Sequence, residues 1–234
     1  MSLTLTKKLT LALSGFFCLL SSQTGFAVSV IPGAGSLLSG TTSAANPDLG
    51  GVVIRDQLIP FQINDNLGNT LITGNVQDRV VRSSNTGQLI FAPRLRDLNN
   101  PSGVAWIEGF SMLGFNGFTT DIDYRTDGLG NVGPNSVNRS ASGDLLDYRY
   151  SPSLIVPPDE GYFLSVLTDT NNFDLSGAFI ITAGNDFGSS AFSTRLLDVS
   201  APSAIPLPAA VWLFGSGLLG LLGISRRKFK TINN

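Results

Sequence analysis

No histidine occurs anywhere in the 234 residues. The single cysteine, Cys18, lies in an apolar stretch near the N-terminus. These absences remove the Cys–His nucleophile, the Ser–His–Asp triad and the usual zinc sites. They also leave no disulfide within the rest of the chain. Lysine is missing from Val28 to Ile205, and the only glutamates are Glu108 and Glu160. Over that span nine arginines face all 17 acids, a net of −8. Such an acidic body argues against nucleic acid or anionic lipid as a partner. A divalent ion or a neutral polysaccharide suits it better.

Charged residues are only 14% of the chain, while glycine reaches 26 residues. That balance points to a loop-rich β protein and away from a helical bundle rich in Ala, Glu and Lys. Strand patterns recur through the body. "IPFQI" places Ile59, Phe61 and Ile63 on one face. "FTTDIDYRT" places Phe118, Thr120, Ile122 and Tyr124 on one face and Thr119, Asp121, Asp123 and Arg125 on the other. "QLIFA", "VAWIEGFSML", "YFLSVLTD" and "GAFIITA" are further strands, separated by turn clusters such as "DNLGN", "SSNTG" and "TDGLGN". The expected fold is all-β: an antiparallel β-sandwich, with a jelly roll as the alternative topology. It is flanked by a signal peptide and a single C-terminal transmembrane helix.

The first 27 residues read as a secretory signal peptide. Lys7 and Lys8 precede a 12-residue apolar run, Leu9 to Leu20, too short to span a bilayer well. Gly25 and Ala27 are the small residues of a cleavage site, placing the cut after Ala27. Residues 28–49 are small and Gly/Ser-rich and read as a flexible lead-in or a loose first strand. The β domain is expected over 50–190, and 191–204 as a spacer.

The C-terminal segment has three parts. Pro206, Leu207, Pro208 and Ala209 form a short Pro-containing motif. Residues 209–225 are apolar or small, a run of 17. As a helix they would reach roughly 25 Å at about 1.5 Å per residue. The hydrocarbon core is about 30 Å, so they span it with slight thinning. Arg226, Arg227 and Lys228 follow, and the positive-inside rule holds them in the cytoplasm with the body outside. Pro206 and Pro208 favour extended backbone, which a processing enzyme can grip at the membrane surface.

"IPLPAAVWLFGSGLLGLLGISRRK" resembles the C-terminal sorting signal of the PEP-CTERM class, in its VPLPA-CTERM variant. The name-giving Pro-Glu-Pro is here Pro206-Leu207-Pro208, which fits that variant. The resemblance covers residues 205–230. It implies export through the general secretion machinery and signal peptidase. It also implies recognition by an exosortase-type membrane enzyme, at least transient residence in the inner membrane with the body in the periplasm, and delivery to the outer surface or extracellular matrix of a bacterium with an outer membrane. Members are typically linked to exopolysaccharide or biofilm.

Within the body, Asp121, Asp123 and Asp127, with Asn131 nearby, form the densest cluster of hard oxygen ligands, the chemistry calcium needs. The spacing is not that of an EF-hand, because Arg125 takes a ligand position and no Glu closes the loop. "DTNNFD" fails likewise, because Phe173 interrupts it. A glycosidase needs two carboxyls facing one cleft. Glu108, among the apolar neighbours of "AWIEGF", and Glu160 are the glutamates available, but nothing demands that role. Trp106, Tyr124, Tyr148 and Tyr150 suit either sugar stacking or core, with core the better reading for Trp106. The expectation is a non-enzymatic envelope or matrix protein with no obligate cofactor. The alternative is a carbohydrate-binding module assisted by calcium, and a carbohydrate-active enzyme comes third.

Overall fold

Alternation of apolar and polar residues carries most of the body into strands. The structure, a computed structural model, describes residues 27–186 and 191–204. The strands run β1 (Val28–Ser29), β2 (Gly35–Leu37), β3 (Gly51–Asn64), β4 (Thr70–Ser83), β5 (Leu89–Phe91), β6 (Arg94–Asn99) and β7 (Ala105–Leu113). They continue with β8 (Thr120–Arg125), β9 (Ser136–Arg139), β10 (Leu145–Arg149), β11 (Phe163–Thr168), β12 (Phe173–Asn185) and β13 (Phe192–Pro202). A 3-10 turn at Pro47–Leu49 is the one helical element among the described residues. No helix among them is long and apolar enough to cross a membrane, and residues 209–225 lie outside them.

The fold is all-β, in two antiparallel sheets. The first has the order β1-β8-β11-β5-β4-β3, with β6 also paired to β4. The second has the order β13-β12-β7-β10-β9-β2. Their inner faces share one apolar core, which makes the arrangement sandwich-like. Phe61, Ile63, Val76, Phe91, Ile122 and Val166 come to it from the first sheet, and Ile107, Phe110, Met112, Tyr148, Phe179 and Ile181 from the second. Each such side chain, fully buried, contributes about 1.5–3 kcal/mol. The face that joins Ile59, Phe61 and Ile63 does point inward, as does that of Thr120, Ile122 and Tyr124.

Polar groups fasten the two sheets together. Asp78 on β4 is buried, and its Oδ2 accepts from the backbone N–H and the hydroxyl of Ser200 on β13, at 3.2 and 2.9 Å. The same oxygen accepts from Arg55 Nε on β3 at 3.0 Å. Arg139, on β9, is a second fastening. Its five donors reach Gly143 O, Val30 O, Thr120 Oγ1, Phe115 O and Phe118 O at 2.7–3.1 Å.

Two segments read as loose from their small residues are ordered. Residues 28–49 supply β1 to the first sheet and β2 to the second. In the segment read as a spacer, β13 pairs with β12 from Phe192 to Pro202. In both cases pairing to a neighbouring strand satisfies the backbone, and Val30, Leu38 and Val199 add buried contacts to the core. The β7 strand also departs from simple alternation. Gly109 pairs with Thr182 but Ile107 pairs with Ala183, so Glu108 is the extra residue of a β-bulge. Ile107 therefore enters the core, while Trp106 sits half-buried beside Gly184 on the outer side. Trp106 is not a core residue, contrary to its apolar neighbourhood in sequence.

Candidate functional site

The outer face of the first sheet is covered around β11 and β5, and the chain path explains why. Thr41 pairs with Arg125 at the β8 side of the sheet, whereas β3, which begins at Gly51, lies at the opposite edge. The intervening residues must cross the sheet. Ser43 ties this crossing to Asp127, whose Oδ2 accepts its N–H and hydroxyl at 2.9 and 2.7 Å. Arg125 Nη1 donates to Leu49 O at 3.4 Å. Leu49 then packs on Ile90, Ala92, Phe163 and Leu167 in a second apolar cluster, separate from the main core. That is why β11 is buried along its whole length: Leu164 and Val166 face the core, while Phe163 and Leu167 face the cover.

The loop after β8 completes the roof. Gly130 turns it with φ +107°, and a Cβ there would sit 2.2 Å from Gly161 O, so only glycine fits. Between roof and sheet lies a cavity of about 180 Å³. Leu49 and Leu129 belong to the roof. Val81, Ile90, Ala92 and Phe163 form apolar walls on the sheet side, and Arg79, Arg125 and Ser165 supply the polar groups.

Register brings these residues together from across the chain. Phe163 pairs with Arg125 and Ser165 with Asp123 between β11 and β8. Ile90 pairs with Val81 between β5 and β4, and Arg79 follows two residues away on the same face. The Arg79 guanidinium lies 4.2 Å from the Phe163 ring centroid and that of Arg94 lies 5.2 Å from it, both cation–π contacts.

The polar groups of this face are under-used. Arg94 is 3% exposed, and Nη2 donates to Glu160 Oε2 at 2.9 Å, but Nε and Nη1 have no partner among the described residues. Burial pushes the Arg94 guanidinium below its ordinary pKa, and the nearby Glu160 charge partly offsets this. Arg79 Nη2 holds Asp56 at 2.7 Å while its Nε has no partner among the described residues. Nor, among them, has the hydroxyl of Ser165, which is 0% exposed, or Gln77 Oε1 opposite Arg94. Buried polar atoms without partners are uncommon, and four residues of one face carry them.

The residues singled out from the sequence are placed elsewhere or engaged otherwise. Asp121 and Asp123 do lie on the outer face of β8. Asp123 is buried, its Oδ1 accepting from Gly40 N at 3.1 Å and Tyr124 N at 2.8 Å, and burial raises its pKa. Asp127 is clamped by Arg125 Nε and Nη2 at 2.8 and 3.0 Å. That clamp, with the Ser43 hydrogen bonds, holds its carboxyl well below the usual carboxylate range, against a smaller opposing effect of burial. Among the described residues no three carboxylates gather as a metal site.

Glu108 is on the outer side of the second sheet, while Glu160 serves β6 of the first, holding Arg94 and the N–H of Asp97. Tyr148 and Tyr150 are core, and Tyr124 stacks on Tyr162 with centroids 5.7 Å apart. Gly25, the sorting motif Pro206–Ala209 and the basic Arg226–Lys228 lie outside the described residues.

Sequence reasoning did not single out Arg79, Arg94, Phe163 or Ser165. One signal was available: "YFLSVLT" is apolar at both parities, which marks a strand covered on both faces. No protein-family model, curated protein or solved structure matches this chain.

Proposed function

We propose that this chain is an exported, non-enzymatic protein of the bacterial cell envelope or extracellular matrix, delivered by its C-terminal signal and associated with exopolysaccharide. The observation that carries the reading is the pair of collinear terminal signals. At one end stand Lys7, Lys8, the apolar run and the Gly25–Ala27 cleavage site. At the other stand Pro206–Ala209, the apolar segment 209–225 and Arg226–Lys228. Both predict the same side of the inner membrane for the body.

The described strands agree with the reading. The first of them begins at Val28, directly after the expected signal-peptidase cut, and pairs there with Ile122. The last of them ends at Pro202, three residues before Ile205. Cuts at these two places would remove none of the described strands.

Intact-protein mass spectrometry on the native protein from each cell fraction tests this. The expected mass lacks residues 1–27 and ends near Pro206–Ala210, with any added mass identifying the attachment. A C-terminus left intact in the inner membrane would reduce the protein to a single-pass anchored one and remove the exosortase from the account.

A further inference from the structure

Two polar atoms in the cavity wall have no partner among the described residues, Arg79 Nε and Ser165 Oγ. A guanidinium N–H can only donate, so the missing partner of Arg79 Nε must be an acceptor. Ser165 Oγ, fully buried, adds a hydroxyl that can donate beside it. Hydrogen bonds with an ionised partner are about twice as strong as neutral ones, and the planar guanidinium fork matches the geometry of a carboxylate. The other end of the cavity is different in kind. Leu49, Val81, Ile90, Ala92 and Leu129 offer no hydrogen-bonding side chain.

We propose that this cavity binds a small organic acid: one carboxylate on an apolar body, aromatic or branched aliphatic. The carboxylate sits toward Arg79 and Ser165, and the body fills the space against Val81, Ile90 and Leu49. Its volume of about 180 Å³ admits a fragment-sized ligand. Drug-sized sites run about 300–1,000 Å³. A uronic acid has the carboxylate but fails at the walls, where each buried hydroxyl would go unpaired at a cost. Entry is past Leu129, which lines the cavity yet is 64% exposed, as a residue at a rim must be.

Carboxylates of the chain itself face this region and set its limits. Asp56 holds one edge of Arg79, Asp127 holds Arg125 and Glu160 holds one edge of Arg94. Each leaves the unpartnered nitrogens untouched. Asp123, across from Ser165, turns an oxygen to two backbone N–H groups. Burial raises its pKa and so lessens its repulsion of a second carboxylate. The inference is independent of how the chain is sorted.

The test uses the full chain in lipid nanodiscs, which avoids a detergent that would compete for an apolar cavity. Titration with para-fluorobenzoate is followed by fluorine NMR, with empty nanodiscs as the blank. Saturable binding is expected, with the uncharged para-fluorobenzyl alcohol weaker by about tenfold, the equivalent of ~1.4 kcal/mol. Arg79→Gln is expected to weaken the acid by about the same factor. Leu129→Trp, at an exposed rim position that leaves folding alone, is expected to abolish binding by filling the mouth. Absence of saturable binding, equal binding of the alcohol, or undiminished binding to Leu129→Trp would each overturn the proposal. Displacement of the acid by inorganic phosphate or by glucuronate at equal concentration would also overturn it, since the apolar body would then not be what is recognised.

Discussion

Arg139 and Arg94 are both arginines buried in this β fold, 5% and 3% exposed. Their surroundings differ in one respect. Arg139 spends all five donors on four backbone carbonyls and one threonine hydroxyl, knitting β9 to the chain around β1 and β8. Arg94 spends one nitrogen on Glu160 and leaves two without partners among the described residues. The first is a complete internal joint: charge is buried because every proton is taken. The second is a joint left open beside a cavity with unused donors of its own. Burial of a charged group therefore says little about its role until its partners are counted.

The sharpest way to break this comparison is Arg139→Met. Four buried carbonyls would lose a donor at once. The expected loss is about 4 kcal/mol of unfolding free energy, read from urea denaturation followed by near-UV circular dichroism. A loss under about 1 kcal/mol would mean that the joint is not structural. Arg94→Met is the matched change, with a much smaller expected effect, within about 1 kcal/mol of the parent or slightly stabilising. Glu160 keeps the N–H of Asp97 and enough exposure to be hydrated, and two buried unpartnered nitrogens disappear. If the two arginine variants unfold alike, the distinction between closed and open joints fails.

The smallest expected effect sharpens the edge of the site. Burial raises the Asp123 carboxyl above its unfolded value. The folded state then binds a proton that the unfolded state has already released. Stability from this group is therefore present below the unfolded pKa, about 3.9, and is lost as pH rises toward the folded value. Asp123→Asn keeps an acceptor for Gly40 and Tyr124 without the charge. It should raise the melting temperature at neutral pH, with the gain fading as pH falls toward 4. Asp127, clamped by Arg125, has the opposite sign: its contribution is present above the unfolded pKa and is lost as pH falls through the lowered folded value. A melting temperature of Asp123→Asn below the parent's at neutral pH would show that the carboxylate is needed charged. That would return Asp121, Asp123 and Asp127 to consideration as calcium ligands.

Much of the fold was legible because it depends on local alternation. Ile59, Phe61 and Ile63 read as one face, and Phe61 and Ile63 are core. The turn cluster "TDGLGN" was legible because glycine at positive φ, as at Gly130, has few substitutes. Trp106 was misread because a bulge at Glu108 shifts the phase of β7, and a bulge is decided by the partner strand. The strand within 191–204 was missed, and 28–49 was read only as a lead-in or a loose first strand, because small residues dominate both segments and hide the few side chains, Val30, Leu38 and Val199, that enter the core.

Composition and pattern alone determined the all-β class, the acidic lysine-free body and the absence of histidine and thiol chemistry there. They also carry the terminal signals on which the proposed address rests. Only tertiary structure decided that Arg79, Arg94, Phe163 and Ser165 share a face, and that residues crossing from β8 to β3 roof it. The physical reason is that a hydrogen-bonding group becomes conspicuous only when water is taken from it. Which groups lose their water depends on strand register and chain path, and no stretch of sequence contains either.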